Sequence, residues 1–284
     1  MGAPQGDYRI ERMPFSGVET VIDWAAAEGW NPGLGDAACF YAIDPNGFFM
    51  GVLDGRPIAR VSMPIYDDQF AFCGLYIVDP AFRGQGYGLG LTKASLDYID
   101  SRNAGLDGVE AMAAKYARLG YRRAHRSTRH SFIPKQQQAP MREIVSLSQV
   151  PFATLAAYDR AHFFAPRDRF LERWVSQPHA LGLALIDDAQ LKGYGVLRKC
   201  RVGQKIGPLF ADAPDIAEAL FGALCNNALG EQVFIDIPEP NQAGLELAAK
   251  HGMSPVFACE RMYLRGDPGL PLEQIYGITS FEAG

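Results

Sequence analysis

Hydrophobic and polar residues alternate along the first half of the chain in short runs that end at turn residues. Residues 70–80 are almost wholly apolar up to a closing Asp-Pro, which predicts a buried strand, and a helical repeat follows over about 89–101. The pattern then predicts a helix over 113–120 and a strand over 125–133. This order indicates an α/β (α+β) fold in which helices flank a mixed, largely antiparallel sheet.

The second half of the chain repeats this outline. Its pattern predicts a helix over 213–229, a strand over 232–238, a helix over 241–252 and a strand over 256–264. Both halves end in a strand, an amphipathic helix, a glycine and a further strand, and the two copies align at a shift of 132 residues. An internal duplication is therefore predicted.

One segment interrupts the periodicity, because residues 133–143 place two prolines around three glutamines. We place the domain boundary there, with one domain at 1–135, a linker at 136–141 and a second domain at 142–284. Residues 266–284 are rich in glycine and proline at their start, and we expect them to lie along the outside of the second domain.

Composition narrows the classes of function. The 284 residues are 48% hydrophobic and carry a formal net charge of −5, which predicts a folded protein with two cores and no basic footprint for nucleic acid. No apolar run reaches the length of a membrane span, and the first residues do not resemble an export signal. We therefore expect a cytoplasmic protein that binds neither nucleic acid nor membrane.

Cysteine and histidine residues do not form a recognisable site in the sequence. The five cysteines are far apart and include no C-x-x-C pair, and the five histidines show no metal-ligand spacing. We expect buried free thiols, no disulfide framework and no bound metal.

Glycine occupies every second position from Gly84 to Gly90, between the predicted strand and the predicted helix. A dinucleotide-binding fingerprint requires a third glycine where Leu89 stands, and no Gly-Lys-Ser/Thr follows for a nucleotide-binding P-loop. Small residues before a helix let backbone N–H groups face an anion, and Arg83 adds a permanent positive charge. The pattern favours a pyrophosphate site, with a tight turn into the helix as the structural alternative.

The segment RGQGYG (83–88) matches the Arg/Gln-x-x-Gly-x-Gly/Ala loop of the GNAT superfamily of acyl-CoA-dependent N-acyltransferases. The preceding LYIVDPAF resembles the strand and lead-in of that family, and AAKYARLGY resembles its later helix. The resemblance implies tandem GNAT-like domains, with a splayed strand at the acyl-CoA site of the first. It implies that the backbones of Ile77 and Val78 bind pantetheine, and that the pyrophosphate lies in a cradle made by Arg83, Gly84, Gln85, Gly86, Tyr87 and Gly88.

The same resemblance implies acyl transfer from acetyl-CoA, used as a co-substrate, with Tyr116 as the general acid that protonates the leaving thiolate. The general base is less defined, since Phe72 stands near the strand position where some relatives carry a glutamate. A water chain or a carboxylate from elsewhere must then serve. Glu110 on the next predicted strand, as a base or as a member of a water chain, and the Asp67–Asp68 pair are the candidates. The pair also fits a solvated loop.

The second half resembles a degenerate GNAT-like copy. At the shift of 132 residues, Arg83, Gly86 and Gly88 align with Asp215, Glu218 and Leu220, and Tyr116 aligns with Ala248. The carboxylates would repel a phosphate, and the bulky side chain would occupy the space that the first half leaves open beside its amide donors. We expect the second domain to shape an acceptor site or an interface.

The resulting hypothesis is an N-acetyltransferase that acts on a primary amine of a small acceptor by direct attack, as a monomer or homodimer. A non-catalytic acyl-CoA-binding sensor or scaffold is the alternative from another class. A transferase for another acyl group or for a hydroxyl acceptor also stays open.

Overall fold

The computed structural model describes residues 6–139 and 142–284. These residues form eight α-helices and thirteen β-strands, together with short 3₁₀ turns. The helices are α1 (Phe15–Ala27), α2 (Asp36–Ile43), α3 (Tyr87–Ile99), α4 (Glu110–Arg118), α5 (Phe152–His162), α6 (Asp168–Ser176), α7 (Pro214–Cys225) and α8 (Gln242–Lys250). The strands are β1 (Tyr8–Arg12), β2 (Phe48–Leu53), β3 (Arg56–Ser62), β4 (Phe70–Val78), β5 (Asn103–Val109), β6 (Arg122–Phe132), β7 (Ile144–Ser146), β8 (Ala180–Asp187), β9 (Gln190–Lys199), β10 (Gln204–Ala211), β11 (Val233–Pro238), β12 (Ser254–Tyr263) and β13 (Ile275–Gly277).

A continuous sheet runs through both halves of the chain in the order β1-β2-β3-β4-β5-β12-β6-β11-β10-β9-β8-β7, and β13 pairs with β10. The β4–β5 and β10–β11 pairs are parallel, and the other pairs are antiparallel. Helices pack on this sheet, so the predicted fold class is confirmed. Among the described helices, none combines the length and the apolar run that a bilayer crossing requires.

The two halves exchange strands at the middle of the sheet. Strand β12 comes from the second half but lies between β5 and β6, and β6 comes from the first half but lies between β12 and β11. A buried ion pair fixes each exchanged strand to its host: Arg261 with Asp107 across β12 and β5, and Arg129 with Asp236 across β6 and β11. The domain boundary at 136–141 stays a prediction, and residues 140 and 141 of it lie outside the described residues. The sheet contains strands from both sides of this boundary.

The parallel pairs of the two halves open in the same way. Strands β4 and β5 pair as far as Cys73 and Leu106, and β10 and β11 pair as far as Ile206 and Ile235. Beyond these points, each pair of strands diverges. Two adjacent parallel strands that splay apart create a gap in the sheet. The gap between β4 and β5 and the gap between β10 and β11 have different contents.

The C-terminal tail fills the second gap. Strand β13 pairs antiparallel with β10 through Leu209 and Gly277, and residues 275–283 are buried. The expectation that the tail lies along the outside was therefore wrong. The apolar side chains of Ile275, Tyr276 and Ile278 supply the buried surface that draws the segment into the sheet.

Helix α2 was not predicted, because its sequence DAACFYAI is apolar on nearly every side and gives no helical periodicity. It packs on α6, where Phe40 stacks on Phe170 and Trp174. Two hydrophobic clusters relevant to the site lie on opposite faces of the first-half sheet. One contains Leu75 and Ile77 with α1, and the other contains Leu91 of α3 and Ala113 of α4.

Candidate active site

Strand β4 carries a bulge where it leaves β5. Ser62 of β3 pairs with Gly74, whereas Arg60 pairs with Ile77, so β4 holds one extra residue at this point. Leu75 has φ 50°, a left-handed conformation that costs a non-glycine residue roughly 1–3 kcal/mol. The surrounding packing maintains this strain, and the bulge turns β4 away from β5.

A cavity of about 610 Å³ occupies the gap between β4 and β5. The residues that line it come from both faces of the sheet. Tyr87, Gly88 and Tyr116 belong to the α3 and α4 side, whereas Trp30 and Phe281 belong to the α1 side. The gap thus joins two faces at the bulge, and a molecule on one face can reach a molecule on the other.

The glycine loop enters α3 in the way that an anion site requires. Gly84 and Gly86 have φ values of 78° and 92°, and Gly86 is the N-cap residue of α3 without a side-chain cap. No acidic side chain stands in the first turn of α3. Gly88 has no space for a side chain, since a Cβ there would lie 2.1 Å from Oη of Tyr76. The amide groups and dipole of this helix N-terminus therefore face the cavity mouth.

Most of the expected coenzyme A cradle lines the cavity. Ile77, Val78, Arg83, Gly84, Gly86, Tyr87 and Gly88 are lining residues. Gln85 is not among them, and its side-chain amide donates a hydrogen bond to the carbonyl oxygen of Ala81. Its side chain thus stabilises the turn before α3.

Arg83 is held by two contacts. Its Nε donates to the carbonyl oxygen of Val78 at 2.8 Å, and its guanidinium forms an ion pair with Glu28. Glu28 follows the last turn of α1 and also lines the cavity. Sequence reasoning missed this carboxylate, because no local pattern joins residues that are 55 positions apart. Arg83 thus reaches the cavity mouth with its charge already partly balanced.

Tyr116 lines the cavity from α4 and packs against β5. A Cβ added at Gly108 would lie 2.7 Å from Cε2 of Tyr116, so this glycine leaves the space that the ring fills. Burial raises the pKa of the Tyr116 hydroxyl above its ordinary value, with a smaller contribution from Cys73. The phenol stays protonated near neutral pH, as a proton donor must.

Cys73 lies at the point where β4 and β5 part, and it lines the same cavity. Burial raises the pKa of its thiol to about 12. A thiol with that pKa is protonated near neutral pH and is a poor nucleophile.

The candidate bases lie away from the cavity. The prediction that Glu110 lies on a strand was wrong, because β5 ends at Val109 and Glu110 begins α4. Glu110 is exposed and is not a lining residue, so its role as a base stays a prediction that the geometry does not favour. Asp67 accepts hydrogen bonds from the backbone N–H groups of Gln69 and Phe70, which is the role of a turn residue. Phe72 is fully buried beneath the bulge.

The cavity is lined by three acidic residues that belong to the described chain: Glu28, Asp107 and Glu282. Glu28 is paired with Arg83, and Asp107 is paired with Arg261 by two hydrogen bonds of 2.8 and 2.7 Å. Glu282 comes from the C-terminal tail, where burial raises the pKa of its carboxyl group. Residues 6–139 and 142–284 contain no cluster of three or more His, Cys, Asp or Glu residues that could hold a metal ion.

The equivalent region of the second half differs. Strand β13 occupies the gap between β10 and β11, and α7 begins at Pro214 with Asp215 in its first turn. Glu218 bonds to His251, and Leu220 is fully buried. The described part of this half thus presents acidic and bulky side chains, and a filled gap, where the first half presents glycines and a cavity.

Comparison with known proteins follows the same division of the chain. Residues 15–121 match the family model described as "Acetyltransferase (GNAT) family", and residues 155–277 match the one described as "Acetyltransferase (GNAT) domain". Among curated proteins, the chain is 30% identical over 267 residues to "Holothin acyltransferase" from Pseudoalteromonas sp. (strain SANK 73390). That match covers 94% of this chain and 91% of the relative.

Solved structures show the same fold at low sequence identity. A putative acetyltransferase from Pyrococcus horikoshii superposes with a TM-score of 0.84 at 22% identity, over 100% of this chain and 98% of the other. A tandem GNAT protein from the clavulanic acid biosynthesis pathway superposes with a TM-score of 0.64 at 15% identity, over 93% of this chain and 99% of the other. At these identities, the likeness concerns the fold alone.

Proposed function

The chain belongs to the GNAT family of acyltransferases, as a tandem of two such domains, and on that premise we propose that it is an N-acetyltransferase. It would transfer the acetyl group of acetyl-CoA to a primary amine of a small acceptor, and the first domain would perform the reaction. One observation carries this proposal: the cavity between β4 and β5 connects the uncapped N-terminus of α3 with the hydroxyl-bearing ring of Tyr116. The cytoplasmic location and the monomeric or homodimeric state stay predictions.

In this proposal, acetyl-CoA enters on the α3 side of the sheet. The pyrophosphate binds to the amide groups of the glycine loop and to Arg83, which must share its charge between Glu28 and the phosphate. The pantetheine arm follows the β5-facing edge of β4 at Ile77 and Val78. The thioester then reaches the bulge at Leu75, where the cavity crosses the sheet.

The transfer is a direct attack. The neutral acceptor nitrogen forms a bond to the thioester carbon and loses its extra proton to water, and the tetrahedral oxyanion is held by a backbone N–H of the splayed strand. Collapse of this intermediate breaks the carbon–sulfur bond, and Tyr116 donates its proton to the leaving thiolate. Tyr116 can take this role because it lines the same cavity and its phenol is protonated near neutral pH.

The second domain serves as a structural partner in this proposal. Its gap holds β13, and the tail continues from that strand into the first domain, where Phe281 and Glu282 line the cavity. In the second domain, a segment of the chain itself thus occupies the gap that would bind acetyl-CoA in the first domain. It would contribute a wall of the acceptor side instead of a second catalytic centre.

The test is release of free thiol from acetyl-CoA with amino acids, polyamines, amino sugars, aminoglycosides and simple aryl and alkyl amines as acceptors. Longer acyl-CoAs are assayed in parallel, together with Tyr116→Phe. Release that depends on one amine class and is lost in Tyr116→Phe supports the proposal. A clear thermal shift with acetyl-CoA, without release for any acceptor, would favour the acyl-CoA-binding sensor instead.

A further inference from the structure

Three aromatic side chains line the cavity on the α1 side, and we call Trp30, Phe257 and Phe281 the aromatic wall. They come from three distant segments: the turn after α1, strand β12 and the C-terminal tail. The rings of Phe257 and Phe281 meet edge to face, with centroids 5.9 Å apart. The exchanged strand β12 thus contributes Phe257 to the aromatic wall, and the inserted tail contributes Phe281.

The buried guanidinium of Arg129 contacts all three residues of the aromatic wall. The guanidinium of Arg129 lies 5.6 Å from the ring centroid of Phe257 and 5.1 Å from that of Phe281, and it donates to the carbonyl oxygen of Trp30 at 2.7 Å. Arg129 is itself paired with Asp236, and both side chains are almost fully buried. The arginine therefore positions the rings, and the rings are what a ligand meets.

Part of the wall is open to the cavity. Trp30 and Phe257 are only half-buried, whereas Phe281 is 6% exposed and fixes the back of the wall. A flat ring placed here would gain aromatic contacts with the exposed parts of these side chains.

The charges of the cavity disfavour a polycationic acceptor. Glu28 and Asp107 are already paired with arginines, and the side chain of Glu282 is almost fully buried. A polyamine or an aminoglycoside would thus bring several positive charges to a site whose described carboxylates are either paired or buried. Such charges lose their hydration without gaining ion pairs.

The same charges bear on the reacting nitrogen. An alkylammonium ion must lose a proton to a base before it can attack, and the described lining offers no exposed unpaired carboxylate for that purpose. An amine bonded directly to an aromatic ring is uncharged near neutral pH, because its lone pair is delocalised into the ring. It can attack without prior deprotonation.

We propose that the acceptor is an aryl- or heteroarylamine, with its ring against the aromatic wall and its nitrogen facing the thioester at the β4 bulge. This inference rests on the proposed function. The amine nitrogen bonds to the acyl carbon, and collapse of the tetrahedral intermediate then breaks the carbon–sulfur bond. Tyr116 supplies the proton of the thiol, the proton lost from the nitrogen passes to water, and water returns a proton to Tyr116.

Two matched pairs of acceptors test the role of the ring. The pairs are p-anisidine against 4-methoxycyclohexylamine, and benzylamine against cyclohexylmethylamine. At similar size, the first pair differs in aromaticity and in the charge of the nitrogen, and the second pair differs in aromaticity alone. The aromatic member of each pair is expected to have a KM roughly three- to tenfold lower, as aromatic contacts of this kind supply. p-Anisidine is expected to have the highest kcat/KM of the four. A higher kcat/KM for an alicyclic amine or for spermidine overturns the inference.

Variants locate the effect on the wall. Phe257→Leu is expected to raise the KM for p-anisidine roughly threefold or more, while the KM for acetyl-CoA stays within about twofold. Val256→Ala is the control, since Val256 is the exposed neighbour of Phe257 and does not line the cavity. Equal losses for both substrates in Phe257→Leu would contradict the assignment. The assignment would also be contradicted if Glu282→Gln lost activity with alkylamines, because the Glu282 carboxylate would then serve as a base for an ammonium acceptor.

The same assay separates the two levels of proposal. Thiol release with other amines, but not with arylamines, overturns the acceptor class and leaves the transferase intact. No release with any amine overturns the proposed function and the acceptor class together.

Discussion

Gly74 and Glu282 touch through their backbones, since a Cβ placed on Gly74 would lie 2.1 Å from the carbonyl oxygen of Glu282. Gly74 is the residue of β4 next to the bulge, and Glu282 is close to the C-terminal end of the chain. The contact joins strand β4, beside the cavity, to the C-terminal tail that fills the gap between β10 and β11. The hydroxyl of Tyr66 adds a hydrogen bond of 2.6 Å to the carbonyl oxygen of Ala283.

This contact predicts the effect of a single methyl group. Gly74→Ala is expected to lower the free energy of unfolding by about 1–3 kcal/mol, because the tail or the bulge must move to make room. The displaced tail carries Phe281, so the KM for the acceptor should rise more than the KM for acetyl-CoA. Urea unfolding and steady-state kinetics measure the two effects. An unchanged stability would mean that the tail is not seated against β4.

Tyr116→Phe removes the proposed proton donor and keeps the ring that fills the space beside Gly108. We expect kcat to fall by roughly 10²-fold, the usual contribution of a general acid, with little change in the affinity for acetyl-CoA. Stopped-time thiol release and a binding titration check the two statements. A normal kcat would remove Tyr116 from the mechanism.

Tyr121→Phe is the matched control for that experiment. The ring of Tyr121 lies 6.2 Å from that of Tyr116, but Tyr121 does not line the cavity. Its buried hydroxyl has no hydrogen-bond partner among the described residues, so its removal should not destabilise the fold. A kcat within about twofold of the wild type is expected.

The loop and helix of the site could be predicted from the sequence, because their signals are local. Alternating glycines before a helical repeat indicate a tight entry into α3, and the periodicity of AAKYARLG indicates α4 with Tyr116. Both elements formed within a few residues of the predicted positions. The strand exchange could not be predicted in the same way, since period-two alternation indicates a strand but does not name its neighbours.

The missed parts of the site depend on contacts between distant residues. Glu28 meets Arg83 only because α1 ends beside the glycine loop, and Phe281 reaches the cavity only because the tail enters the β10–β11 gap. The tail also carries polar residues that are buried in the fold, such as Ser280 and Glu282. In sequence, polar residues after a Gly-Pro segment indicate an exposed tail, and only the tertiary partners reverse that expectation.

Gly88→Ala tests the anion site at the start of α3. The new Cβ would lie 2.1 Å from Oη of Tyr76 and 3.0 Å from Cγ2 of Val78, so either the first turn of the helix or the side chain of Tyr76 must move. We expect the dissociation constant for acetyl-CoA to rise about tenfold, which corresponds to about 1.4 kcal/mol. Isothermal titration measures it.

Gly90→Ala provides the control within the same helix. A Cβ at Gly90 would meet its nearest neighbours at 3.7 and 3.8 Å, which is ordinary contact. Replacement of a helical glycine by alanine is expected to stabilise the protein by roughly 0.5–1 kcal/mol without loss of acetyl-CoA affinity. Equal weakening of binding in both variants would point to a general effect on α3 instead of a block at Gly88.

The filled gap of the second half predicts the binding stoichiometry. Because β13 pairs with β10 where a pantetheine arm would need the strand edge, we expect one molecule of acetyl-CoA per chain. A calorimetric titration of the wild type measures the number of sites. A stoichiometry of two would show that the second domain also binds the donor.

Buried histidines predict how stability depends on pH. Burial lowers the pKa of His125 from 6.5 to about 3 and also lowers the pKa values of His130 and His162. Between about 3 and 6.5 the unfolded chain therefore binds more protons than the native protein, so the free energy of unfolding falls as the pH is lowered through this window. Above 6.5 the neutral imidazole carries no such penalty.

His125→Asn should flatten the decline between about pH 7 and pH 5 in urea unfolding. His179→Asn, at an exposed position, controls for the loss of an imidazole. An equal slope in His125→Asn and wild type would show that the His125 ring is protonated in the native protein or does not titrate differently on unfolding.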